Sequence, residues 1–113
     1  MAKPAPTILS ATILAGQSLS SSLNLTTGSL ALLMSPDAWT PANISFQISE
    51  DNVTFRDLYD GNGVEVLRPM GAARGSIIDQ SLSAAALYLK IRSGPSENPV
   101  VQDADRTFVC VAV

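Results

Sequence analysis

From Trp39 to Tyr59 apolar and polar residues trace one strand, a polar turn and a second strand. Ile44, Phe46 and Ile48 alternate with Ser45, Gln47 and Ser49, the period-two spacing of a half-buried strand. Glu50, Asp51 and Asn52 supply turn residues, and Val53 and Phe55 restart the alternation against Thr54 and Arg56. The stretch predicts a β-hairpin. Leu87, Leu89 and Ile91 alternate with Tyr88, Lys90 and Arg92 in the same way. Upstream, Thr7 to Leu14 predicts a strand, and Gly16 and Gln17 a turn. Leu19, Ser21, Leu23 and Leu25 then form one face of a second strand, with Ser18, Ser20, Ser22 and Asn24 on the other. Beyond a turn at Thr27 and Gly28, Ser29 to Met34 is nearly all apolar, which predicts a strand buried on both faces. Arg106 to Val113 closes the chain as a strand with apolar residues on both faces.

The intervening segments are punctuated. Ser35 to Trp39 predicts one helical turn, with Ser35 as its N-cap and Pro36 at the first helical position. Asp60-Gly61-Asn62-Gly63 is a turn, Val64 to Leu67 a short strand, and Arg68 to Gly75 an irregular loop with glycines at 71 and 75. Asp79 to Ala86 is a short helical turn or a loop. Ser93 to Asp105 is a polar connection holding Pro95 and Pro99. Eight or nine short strands without room for helical crossovers predict an all-β fold: a single antiparallel β-sandwich, jelly-roll-like. Residues 1–6 form an extended, proline-bearing arm, and residues 7–113 the sandwich domain. At 113 residues the chain suits one domain, burying roughly 65% of its unfolded surface.

Composition narrows the function. Charged residues make up 15% of the chain, against about 25% in an ordinary soluble domain, so its Ser- and Thr-rich surface suits burial against another protein. Net charge is −3 and the seven Lys and Arg are scattered, which excludes nucleic-acid binding through a basic stripe. The chain contains no histidine, which removes Ser-His-Asp and Cys-His catalysis and histidine-ligated metals. Its one cysteine, Cys110, cannot form an internal disulfide and sits in an apolar strand as a small core residue. Lys3 and the apolar run from Ile8 to Ala15 imitate a signal peptide, but Pro4, Pro6, Ser10 and Thr12 interrupt it. No apolar run has the 18 or so residues of a membrane span, and the N-x-S/T triplets at Asn24, Asn43 and Asn52 are ordinary strand and turn sequence.

Candidate sites are few. Asp57, Asp60 and Asn62 offer oxygen ligands for calcium, as do Asp103 and Asp105, but a polar turn explains each group. The pairs Glu50 with Asp51 and Asp57 with Asp60 lie in exposed turns, where no burial raises a catalytic acid's pKa. Neither cofactor nor metal is expected. Trp39, with Tyr59 and Tyr88, is the candidate sugar-stacking platform; the plainer reading has Trp39 plugging one end of the sandwich. Two loops are the candidate contact surfaces, through Arg68, Met70 and Arg74 in one and Arg92 and Pro95 in the other.

One resemblance bears on function. The chain carries Pro36-x-x-Trp39-Thr40, then Ser45-Phe46-x-x-Ser49-x-Asp51 and Phe55-x-x-Leu58-Tyr59-Asp60. It continues with Leu89-Lys90-Ile91-Arg92-Ser93-Gly94 and Gln102-x-Ala104-x-Arg106. These runs lie within Met34 to Gly63 and Leu87 to Val113, about half of the chain, and resemble small virion accessory proteins of tailed bacteriophages, of the capsid decoration, cement or head-fibre type. The resemblance implies a non-enzymatic structural protein on the capsid surface of the virion, made in the host cytoplasm and not secreted. It implies the major capsid protein as partner, with self-association as a homotrimer also open, and neither nucleic acid nor membrane. The competing class is a carbohydrate-binding module using Trp39 and neighbouring loops. A weaker third is an assembly factor that never enters the particle.

Overall fold

The computed structural model describes residues 5–113, which form eight strands in two antiparallel sheets. In chain order the strands are β1 (Thr7–Ile13), β2 (Leu23–Asn24), β3 (Leu30–Met34), β4 (Ile44–Ser49), β5 (Arg56–Asp57), β6 (Gly75–Ile77), β7 (Tyr88–Ser93) and β8 (Arg106–Ala112). A 3₁₀ turn at Gln80–Leu82 precedes β7. One sheet has the order β1-β8-β3-β6 and the other β2-β7-β4-β5. Strand β1 therefore pairs with β8, β2 with β7, β3 with β6 and β4 with β5. The chain is one long hairpin, turned between β4 and β5 and wound over itself, which is the jelly-roll topology. Of the arm at residues 1–6, residues 1–4 lie outside the described residues; Ala5 and Pro6 are exposed.

Alternation sends Ile44 and Phe46 of β4, Leu89 and Ile91 of β7, and Phe108 and Cys110 of β8 into one core between the sheets, and a register shift between Leu30 and Leu32 lets Leu30 and Leu33 of β3 join them. Trp39 closes one end of it, its ring set edge-on against Phe108 at 5.4 Å between centroids. No buried side-chain nitrogen or oxygen among the described residues lacks a hydrogen-bond partner.

Several local expectations are corrected. Ser35 to Trp39 makes bends and no helical turn. The capping groups are engaged across the chain instead: the Ser35 N–H and hydroxyl donate to the Arg74 carbonyl, and the Ala73 N–H donates to the Pro36 carbonyl. The second hairpin strand starts only at Arg56, because Ser49 and Asp51 accept the N–H groups of residues 51–54 and hold them in a wider loop. Val64 to Leu67 forms no strand; its flanks make single bridges, Glu65 to Tyr59 and Arg68 to Ile44. The strand expected over Leu19 to Leu25 shrinks to two residues. Here the chain straddles the two sheets, Leu19 bridging Arg92 of β7 and Ser20 bridging Ile13 of β1, before it pairs with β7 at Leu23. Finally β3 is buried on one face alone, leaving Met34 exposed.

Candidate protein-docking surface

Register decides what the outer face of the β1-β8-β3-β6 sheet presents. Ile8 stands opposite Val111, Val111 opposite Leu32, and Leu32 opposite Ile77. Side chains of directly opposed residues share a face, so one apolar row crosses all four strands. The next outward row is Ser10, Val109, Met34 and Gly75, and beyond it Thr12 and Thr107 join hydroxyls at 2.9 Å. No charged side chain lies in these rows. Ile77 is 87% exposed, Ile8 61% and Met34 48%, values that belong to side chains with nothing laid over them. Contiguous apolar surface of this kind marks a contact site on a soluble protein.

The opposite outer face, on β2-β7-β4-β5, is built differently. In sequence Arg92 reads both as the end of an alternating strand and as a loop contact; it lies within β7, 6% exposed. Alternation turns it away from Leu89 and Ile91 onto the outer face, where Asp57, Glu65 and Ser45 enclose it. Its guanidinium donates to Asp57 at 2.7 Å, to Glu65 at 3.2 Å and to the Ser45 hydroxyl at 2.9 Å. Glu65 also accepts the Ser96 N–H. The hydrogen bond from Arg92, with help from Gln47 and the Arg92 charge, holds the Asp57 carboxyl below its ordinary pKa against the opposing effect of burial. Arg92 therefore ties strands and loops together and is not offered to a partner.

The other candidate residues divide similarly. Met70 is half-buried and packs on the core. Pro95 is half-buried and opens the turn closed by the Asn98 N–H. Arg68 bridges to β4 through its backbone, and its guanidinium donates to the Leu67 carbonyl. Arg74 is exposed, one residue before β6 and beside Met34 at the rim of the apolar face. Its guanidinium lies over Gly71, where any side chain would overlap it. Among the described residues neither Arg68 nor Arg74 forms an ion pair. The expected loop contacts thus reduce to these two cations.

Trp39 is 9% exposed, its faces taken up by the core and its indole N–H donating to the Ala42 carbonyl at 3.1 Å. A ring so placed presents no stacking plane. The carboxylates proposed for calcium or acid catalysis are engaged locally. Asp60 accepts the Asn62 and Val64 N–H groups, Asp105 the Ala15 N–H, and Asp103 pairs with Arg106 at 2.6 Å. An open depression of about 490 Å³ beside the hairpin is lined by Ile48, Glu50, Asp51, Thr54 and Arg56. Its Asp51 carboxylate is held by the N–H groups of Thr54 and Val53 and by the Ser49 hydroxyl, which lower its pKa. Among the described residues no three acidic or thiol groups gather into a metal site. Burial pushes the Cys110 thiol up to about 12, far from a reactive thiolate.

Residue patterns missed the apolar face as a site, although they carried its signal. Strands β3 and β8 were legible as apolar on both sides. No protein-family model, curated protein or solved structure matches this chain.

Proposed function

We propose that this chain is a non-enzymatic structural protein of a phage virion, a capsid decoration or cement protein that binds the outer shell through repeated protein–protein contacts. The observation that carries the reading is the bare, uncharged apolar face across β1, β8, β3 and β6, a surface suited to being covered by protein. The resemblance of Pro36 to Gly63 and Leu87 to Val113 to phage virion accessory proteins supplies the setting. Supporting it further, the carboxylates of Asp51, Asp60 and Asp57 are occupied by the protein's own amides and guanidinium groups. Arg74, at the rim of that face, is the cation available to acidic surface on the shell. Each contact is modest; repetition over a symmetric shell multiplies them by avidity.

Quantitative mass spectrometry of purified particles tests the reading by counting this chain against the major capsid protein. A simple ratio to the capsid subunit is expected. A few copies per particle would move the protein to a fibre or tail, and absence from the particle would overturn the virion assignment.

A further inference from the structure

We infer that the outer face of the β1-β8-β3-β6 sheet is a dimer interface, and that its occupant is a second copy of this chain packed sheet on sheet. The inference rests on the assembly reading above and deepens it: the protein that covers this face is a second copy, and the rest of the dimer's surface, Arg74 at the rim included, is left for the shell.

The composition of the strands is the first argument. Leu32, Met34, Val109 and Val111 are as apolar as the inward residues between them, yet Met34 and Val109 are exposed and Leu32 and Val111 only half-buried. The opposite sheet covers its own outer face with Glu65 and Ser96 around Arg92. Among the described residues no equivalent polar cluster covers this face.

Charge selects the kind of partner. The outward residues of all four strands are uncharged, and Arg106, the one charged strand residue near them, turns its guanidinium to Gln102 and Asp103. Such a face offers no ion for recognising a charged surface and meets no repulsion from its own copy. Its pattern is also self-complementary. A two-fold axis parallel to the strands sets Ile8 over the partner's Ile77 and Val111 over the partner's Leu32. Sheets packed this way lie about 10 Å apart with strands within about 30° of one another.

Size agrees with a weak, specific pair. Strands of seven, seven, five and three residues, at about 3.4 Å per residue and about 4.8 Å between strands, spread the face over about 360 Å² in projection. Two copies remove about twice that, and side-chain relief brings the total to about 1,000 Å², the lower bound for a biological interface. An interface at that lower bound belongs with weak, transient associations, so the equilibrium is sought at micromolar concentrations.

Sedimentation velocity of the full chain across micromolar concentrations tests this. The expected result is a reversible monomer–dimer equilibrium. Ile77→Lys raises the dissociation constant at least about tenfold, because each dimer then buries two ammonium groups against apolar surface. Ile77 is solvated in the monomer, so the substitution leaves folding alone. Val53→Lys, at an exposed position on the hairpin loop, leaves the equilibrium unchanged. Adding Ile8→Glu to Ile77→Lys restores the dimer by setting opposite charges together, and failure to restore it overturns the two-fold arrangement. A wild-type chain that stays monomeric overturns the inference whichever way particle binding falls. If Ile77→Lys then loses particle binding, the face belongs to the shell protein and the assembly reading stands. A dimer that is absent from particles leaves the inference standing and removes the virion assignment instead.

Discussion

Replacing Arg92 with Met keeps the length and apolar stem of the side chain but removes the charge that two carboxylates share. The cost follows from the exposure of the three groups. Arg92 and Glu65 have side chains 7% and 13% exposed, while Asp57 is 33% exposed. Removing one member of a buried ion pair costs about 3–5 kcal/mol, because the partner charge stays behind. Asp57 is wet enough that its share falls to the scale of a surface pair, about 0–1 kcal/mol. Glu65 keeps the Ser96 N–H as a partner, and Ser45 still donates to the Gly94 carbonyl at 2.7 Å. The expected loss is therefore near the bottom of the buried range, about 3 kcal/mol, or about 13 °C in Tm for a chain of this length.

Urea denaturation at neutral pH measures that loss directly, with an unchanged m-value showing that the same surface unfolds. The acid limb supplies an independent check. Asp57 is lowered in the folded state, chiefly by its hydrogen bond from Arg92. It therefore contributes stability that is complete above the unfolded aspartate value of about 4 and is lost as pH falls through the folded-state value. In Arg92→Met this contribution shrinks, so stability falls less steeply as pH drops below about 4. A loss under about 1 kcal/mol with an unchanged acid limb would show that the cluster behaves as exposed charges do, and would refute the reasoning.

Three further outcomes are expected. Gly16 and Gly94 both have positive φ, +83° and +84°, but a Cβ at Gly16 meets nothing within 4 Å whereas one at Gly94 comes within 2.8 Å of the Val100 nitrogen. Chemical denaturation should therefore show Gly16→Ala costing about 1–2 kcal/mol for backbone conformation alone and Gly94→Ala clearly more; equal costs would contradict the packing around Gly94. Cys110, fully buried with its thiol raised to about 12, should resist aromatic disulfide reagents at pH 8 until the domain unfolds, and stoichiometric labelling of the native protein within seconds would refute this. Trp39 should emit in the blue, resist acrylamide quenching and ignore added glycans, and Trp39→Ala should cost about 3 kcal/mol as the end of the core empties; a red-shifted, glycan-sensitive emission would place the indole in water.

What the residue pattern disclosed was local. The alternation of Ile44, Phe46 and Ile48, and of Leu89 and Ile91, marked strands because side-chain direction follows from neighbouring backbone alone. Asp60-Gly61-Asn62-Gly63 marked its turn because the aspartate accepts N–H groups two and four residues ahead. What stayed hidden depended on distant partners. Arg92 looked like loop chemistry until Asp57 and Glu65, 35 and 27 residues away, closed on it. Ser35 lost its helical turn to Arg74, 39 residues away. The length of β2 was hidden for the same reason: Ser20 gives its N–H to Ile91 and its hydroxyl oxygen accepts the Ile91 N–H, so the chain changes sheets where the apolar spacing runs on unbroken.

The two sheets carry opposite sequence signatures on their outer faces, and that contrast is the firmest guide to what the molecule does. On β4 and β7 the outward positions are Ser45, Gln47, Lys90 and Arg92, residues that need hydrogen-bond partners and find them within the chain. Lys90, for its part, lies over the Phe55 ring at 4.3 Å. On β3 and β8 the outward positions are Leu32, Met34, Val109 and Val111, which need only to be removed from water. A strand that faces water on one side alternates, because an apolar outward residue gains nothing there. Strand β4 obeys that rule under its own polar cover, and β3 and β8 depart from it over a face where Met34 and Val109 stay exposed. Burial of that face against protein restores the rule for all four strands at once. Under the proposed docking, the pattern of apolar residues thus describes an assembled state more fully than the isolated fold does.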